Sequence, residues 1–307
     1  VVMATEQDTP GAGELLGRRA RDDRSLMVRS LATINSFSRR KPLGAIGGFI
    51  ILIMVLLAVF APIIAADPME WNLRDKFQSP NWQYWLGTND VGQDLWAQIV
   101  YGAQISLYVG ILSVAYGSGI GGVVGLVSAY YGGKTDVIIQ RIMDAMMAIP
   151  TLVLALAIMA ALGGSVNNVV IAIGAVQIPR ANRIVRSQAL AVRESEFALA
   201  ARSIGATDMR IMFQHIMPQC VAPWLIIATA ALGTAIISEA SLSFLGMGVP
   251  PTTPTWGGML SQRGREYFVL APQMAIFPGI AISLAVYGFN LFGDAIRDVL
   301  DPRLRGS

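Results

Sequence analysis

LGAIGGFIILIMVLLAVFAPIIAA, residues 43–66, runs without a single charge and carries Pro62 near its end. A helix needs about 20 apolar residues to cross a hydrocarbon core about 30 Å thick, so this stretch predicts a first transmembrane helix. Outward from it the pattern repeats. A second uncharged run lies between Asp94 and Lys134, with its spanning part near Ile105 to Ser128. The run between Asp144 and Arg180 is too long for one span. Gly163-Gly164-Ser165 and Asn167-Asn168 break it, which predicts two helices joined by a tight turn. Ala222 to Leu245 and Pro272 to Phe292 supply the fifth and sixth. The fold class is therefore all-α integral membrane, with six transmembrane helices.

Composition agrees. Of 307 residues 54% are hydrophobic and only 14% charged, against about 25% charged in soluble domains. A net charge of +3 gives little footing to a nucleic-acid partner. One cysteine, Cys220, excludes an intrachain disulfide, and one histidine, His215, cannot build a histidine-rich metal site. The polar stretch of about forty residues before the first apolar run does not read as a cleavable signal peptide.

Basic residues set the expected orientation. The tail before Leu43 carries Arg18, Arg19, Arg21, Arg24, Arg29, Arg39, Arg40 and Lys41. The loop between spans four and five carries Arg180, Arg183, Arg186, Arg193, Arg202 and Arg210. The segment 67–103 and the loop between spans five and six are poor in basic residues. They hold Trp71, Trp82, Tyr84, Trp85, Trp96 and Trp256, aromatics suited to a membrane–water boundary. Both termini are thus expected inside. Residues 1–23 read as a disordered cytoplasmic tail. In 24–42, Met27, Leu31 and Ile34 recur at helical spacing among basic residues, as in an interfacial amphipathic segment or a basic tail. An external loop at 67–103, a five-helix core at 104–294 with a coupling loop at 187–218, and a cytoplasmic C-terminus at 295–307 complete the expected organisation.

Polar groups at membrane depth are few. Glu239 lies inside span five, flanked by Ser238 and Ser241. An ionisable residue there either lines a path or pairs across helices, because burying it alone is expensive. Arg141 and Asp144, three apart, are expected to pair on one helical face. Gly117, Gly121 and Gly125 recur every fourth residue, a spacing that lets a second helix approach closely. Pro150 and Pro179 are expected to kink or end helices. No Gly-Lys-Ser/Thr phosphate loop, His-Glu-x-x-His or Gly-x-Ser-x-Gly occurs, so an enzymatic reading has little support.

The most informative segment runs from Glu194 to Pro218. Glu196 to Ser203 reads as a short helix capped by Gly205, and Thr207 or Asp208 starts a second, running to about Met217 and delimited by Pro218. Phe197, Ala200, Ala201 and Ile204 fall on one side of the first helix, a surface another protein could pack against. The loop is long for a helix-to-helix connection, which gives it a task of its own.

This loop resembles the EAA motif of ATP-binding-cassette (ABC) importer permeases: Glu-Ala-Ala, a Gly four residues on, and a closing run of Ile, Leu and Pro. Ala200, Ala201, Gly205, Ile216 and Pro218 fit it; Leu199 stands in place of Glu and Met217 in place of Leu. Leu199 removes a charge that Glu196 is near enough to replace. Residues 40–44 (Arg-Lys-Pro-Leu-Gly), 86–94 and 101–107 look like dipeptide/oligopeptide/nickel permeases. So do 241–249, 290–298 and Asp301-Pro302-Arg303-Leu304-Arg305. The longer N-terminus is similar to that of the C-type subunit.

The resemblance implies a type I ABC importer (MetI-like) permease fold in a bacterial or archaeal cytoplasmic (inner) membrane. Implied partners are a B-type permease, two ATPase subunits, an extracytoplasmic substrate-binding protein and membrane lipid. Implied ATPase-coupling residues are Glu196, Phe197, Leu199, Ala200, Ala201, Arg202, Gly205, Ala206, Asp208, Arg210 and Pro218; Glu239, Ser238 and Ser241 are candidates for the translocation path. ATP and Mg would be bound by the ATPases and no cofactor by this chain, which would be a non-catalytic subunit. Di- or oligopeptides are the expected cargo, with nickel, glutathione or oligosaccharide as alternatives. An ion-coupled secondary transporter using Glu239 is the reading from another class.

Overall fold

A computed structural model describes residues 41–300, so the expectations for 1–40 and 301–307 lie outside the described residues. The described chain is helical. Pro42–Ile64 forms α1, its proline in the first turn, where the missing N–H costs nothing. Leu95–Tyr131 forms α2, with Asp94 as N-cap accepting from the Trp96 N–H at 3.0 Å. Gly133–Ala148 (α3) and Thr151–Leu162 (α4) meet at an angle of 97° across Ile149-Pro150. Val166–Arg193 (α5) follows a turn at Gly163 (φ 83°), where Ser165 caps the Asn168 N–H and the Asn168 amide closes onto the Leu162 and Gly163 carbonyls. Glu196–Ser203 is α6, Asp208–Arg210 α7 and Met217–Phe244 α8. Trp256–Leu260 (α9), Gln262–Glu266 (α10) and Gln273–Leu300 (α11) complete the chain.

Four stretches are long and apolar enough to cross a membrane, α1, α2, Asp208–Phe244 and α11, and a fifth if the bent α3–α4 pair is one span. This count is smaller than the six expected. The difference is α5, whose second half is too polar to qualify. The residues from Arg180 to Arg193, expected in a loop, continue the α5 helix. Their charges are answered locally. Arg186 grips Asp136 on α3 through both oxygens, at 2.6 Å from Nε and 2.5 Å from the terminal nitrogen. Arg183 reaches Asp144 at 2.9 Å, and Arg193 donates to the Ala129 and Tyr130 carbonyls. Asp144 thus pairs across helices rather than with Arg141 as expected.

The most extensive helix contact joins α2 and α5. Gly117, Gly121 and Gly125 lie on it as a packing strip. A Cβ placed on them would come within 2.2, 2.4 and 2.5 Å of the carbonyl oxygens of Gly174, Ile178 and Asn182. Between lipid-embedded helices there is little hydrophobic drive, so close backbone approach supplies the attraction instead. On the other flank α1 packs on α11 and α2. Its remaining face, with Phe49, Leu52, Leu56 and Val59, is exposed apolar surface suited to lipid.

Lys41 at the start of α1 is ion-paired with Asp298 near the end of α11, placing both at the same end as the α6–α7 hairpin. At the opposite end, residues 65–94 form an ordered loop around Asp75, which accepts from Asn72, Gln78 and Tyr84. Burial and the Asp75 carboxylate hold the Tyr84 phenol above its ordinary pKa. The structure starts α2 at Leu95, so 95–103, expected in this loop, is helical. Trp71, Trp82 and Trp85 are exposed there, but Trp256 is not an interfacial aromatic. Short α9 dips between α2, α8 and α11 and buries Trp256, whose indole donates to the Ile99 carbonyl at 3.0 Å.

Candidate functional site

The first arm of the hairpin, α6, ends in a Schellman motif. Gly205 takes φ 80°, its N–H bonds the Arg202 carbonyl, and the Ala206 N–H reaches the Ala201 carbonyl at 3.1 Å. A side chain at 205 would have open space but the wrong backbone conformation. Ala198 and Ala201 face inward, and Ala201 joins a cluster with Leu126, Ala129, Val192, Ile211, Met212 and Ile216. Glu196, Phe197, Leu199, Ala200, Arg202 and Ile204 form the exposed side, Ile204 at 86% accessibility. Ala201 therefore does not share a surface with Phe197, Ala200 and Ile204; it seats the helix that presents them.

The second arm is not a separate helix delimited by Pro218. Asp208 to Phe244 is one continuous rod, with a wide-turn (π) segment at Ile211–Ile216. There the Met217 N–H bonds Met212, five residues back. Pro218 lacks a donor and crowds the preceding turn, and the wider turn accommodates it. Thr207 precedes this arm without a side-chain cap, while Asp208 is held from elsewhere. Its carboxylate accepts from the Tyr130 hydroxyl at 2.6 Å, and the Arg202 guanidinium lies 5.9 Å over the Tyr130 ring. Arg210 stays exposed, bonded to Gln214 on its own rod. Tyr130 thus locks both arms to the end of α2. Sequence reasoning passed over it, because a tyrosine at the end of an apolar run signals only an interface.

The same rod walls a cavity of about 730 Å³ bounded by α2, the α3–α4 bend, α5 and α8. Ser238 and Ser241 line it, with Thr234, Gln177 and Arg180. Glu239 does not. It is fully buried on another face of α8, where the Ser243 hydroxyl donates to it at 2.9 Å and the Ser106 hydroxyl of α2 at 3.3 Å. Thr255, just before α9, also faces this carboxylate. Glu239 is thereby a cross-helix pairing residue that fastens α9 between α2 and α8. Among the described residues no group of His, Cys, Asp and Glu could hold a metal ion.

Residues 121–306 match the family described as the binding-protein-dependent transport system inner membrane component. The chain belongs to that family. Residues 38–80 match a second description, the N-terminal transmembrane domain of oligopeptide transport permease C. The chain is 44% identical over 261 residues (85% of this chain, 88% of the relative) to a Brucella suis protein provisionally named a peptide transport system permease. With the dipeptide transport system permease protein of Alkalihalophilus pseudofirmus it shares 42% identity over 268 residues, covering 87% of this chain and 88% of that one. With the glutathione transport system permease protein of Shigella flexneri it shares 43% over 270 residues, covering 87% and 89%. In this inner membrane component, the hairpin and every residue lining the cavity except Ser118 fall inside the stretch matched by the family.

Proposed function

We propose that this chain is one half of the membrane pore of an ABC importer for small peptides, paired with a B-type permease. In this reading α5 is the fourth of six spans and both termini are cytoplasmic. The hairpin end faces two ATPase subunits, and the loop end faces a substrate-binding protein. The carrying observation is the hairpin itself. Its outer face is exposed and apolar, with Phe197, Leu199 and Ile204, while its inner face is locked to α2 and built into the rod that walls the cavity. A push on the exposed face is thereby delivered to Thr234, Ser238 and Ser241. Such coupling of a docked partner to a membrane cavity is a rigid-body route to alternating access. The chain needs no catalytic residue or cofactor for this, since ATP and Mg would sit on the ATPases.

Peptides are favoured by the names of the relatives, with glutathione as the second reading on the same ground. An ion-coupled carrier would need Glu239 in the path, and its burial in a hydroxyl cage argues against that. The test is uptake into vesicles containing the full transporter. Peptide uptake that requires ATP and persists with the membrane potential collapsed is expected. Uptake that follows the potential and ignores ATP would overturn the proposal.

A further inference from the structure

Three arginines follow one another on α5 at spacing of three: Arg180, Arg183 and Arg186. The second and third are answered by Asp144 and Asp136 on α3. The first has no ion pair or side-chain hydrogen bond among the described residues. It sits behind Pro179, about 21 Å along α5 from Val166 at 1.5 Å per residue. Where α3 closes on it, Met146 and Met147 share the cavity wall and bring no charge. Among the residues lining the cavity Arg180 is the only charged one; its polar companions are hydroxyls and one amide, Gln177.

Arg180 is exposed at the cavity wall, and unlike its row-mates, which take their counter-charges from α3, it is left to meet an incoming anion. A guanidinium also differs from an ammonium in presenting a planar fork that matches a carboxylate through two parallel bonds. We infer that Arg180 is a specificity-determining residue of the cavity, and that it receives the carboxylate of the passing substrate. This rests on the proposed peptide importer and deepens it. Free carboxylate ends are preferred, and a bare metal cation is repelled.

The experiment uses the complete transporter in vesicles, with alanyl-alanine and glutathione as probes, and reads substrate imported per ATP hydrolysed. Arg180→Gln is expected to lower that ratio about tenfold, the loss of one charged hydrogen-bonding partner. Arg180→Lys, which restores the charge without the fork, is expected to recover at least half of the loss on a logarithmic scale. An unchanged ratio in Arg180→Gln overturns the inference. So does an Arg180→Lys variant as defective as Arg180→Gln, since the side chain would then matter for shape and not for charge. If the unaltered transporter imports neither probe, the peptide reading itself fails, a result distinct from either of these.

Discussion

The hydroxyl of Tyr130 and the carboxylate of Asp208 meet at 2.6 Å, tying the last turn of α2 to the first turn of the hairpin's second arm. Seventy-eight residues separate them in sequence, so the bond closes a long excursion through α3, α4, α5 and α6. Tyr130→Phe removes it and leaves the ring beneath Arg202. A hydrogen bond to a charged group contributes about 1.5–3 kcal/mol. Amide exchange across 196–210 should therefore quicken about tenfold or more, with the rest of the chain unaffected. Unchanged protection would show that the cluster around Ala201 holds the hairpin alone.

Gly121 and Gly119 lie on different sides of α2. Gly121→Ala drives a methyl group to 2.4 Å from the Ile178 carbonyl, whereas a methyl at 119 meets nothing within 4 Å. Overpacking costs about 1–3 kcal/mol. Alanine in an open helical position gains up to about 1 kcal/mol over glycine. The thermal midpoint in detergent should fall for the first variant and hold or rise for the second. Equal behaviour of the two would contradict the packing strip.

Gly205→Ala tests backbone strain without steric conflict. Holding alanine in the left-handed region costs about 1–2 kcal/mol, and Asn, which tolerates that region better, should cost less. Co-purification with the ATPases and ATP-driven uptake should decline in the order Gly, Asn, Ala. Full retention in Gly205→Ala would mean that the hairpin's end need not be closed for coupling.

Glu239→Gln keeps an acceptor for Ser106 and Ser243 but cannot carry a proton. Transport should survive it. Glu239→Leu orphans both buried hydroxyls, at about 1–3 kcal/mol, and should loosen α9. Loss of uptake in a well-folded Glu239→Gln transporter would revive the proton-coupled reading.

Periodicity and turn chemistry made much of this legible. The apolar run at 43–66, the break at 163–165, the Gly117–Gly125 strip and the Gly205 turn are local signals, and each is where the residues placed it. What local reading could not reach was pairing at a distance. Arg183 and Arg186 looked like loop charges because their acids lie on another helix. Trp256 looked interfacial because nothing in its neighbours announces a buried position between three helices. Pro218 reads locally as a stop signal, but the wider turn at Ile211–Ile216 carries the helix on through it. The cavity was half visible: Ser238 and Ser241 by their flanking of Glu239, Arg180 not at all.

The bend at Pro150 has a consequence for the shape of the cavity wall. At 97°, no more than one leg of the α3–α4 pair can stand along the membrane normal. The longer leg, α3, has 16 residues and so reaches about 24 Å, less than the roughly 30 Å of a hydrocarbon core. The pair therefore cannot run straight through as α1 does, and its corner at Ile149 and Pro150 lines the cavity. A solute resting against Pro150 meets the end of one helix and the start of another, a corner in place of the continuous rod that α8 presents on the facing wall.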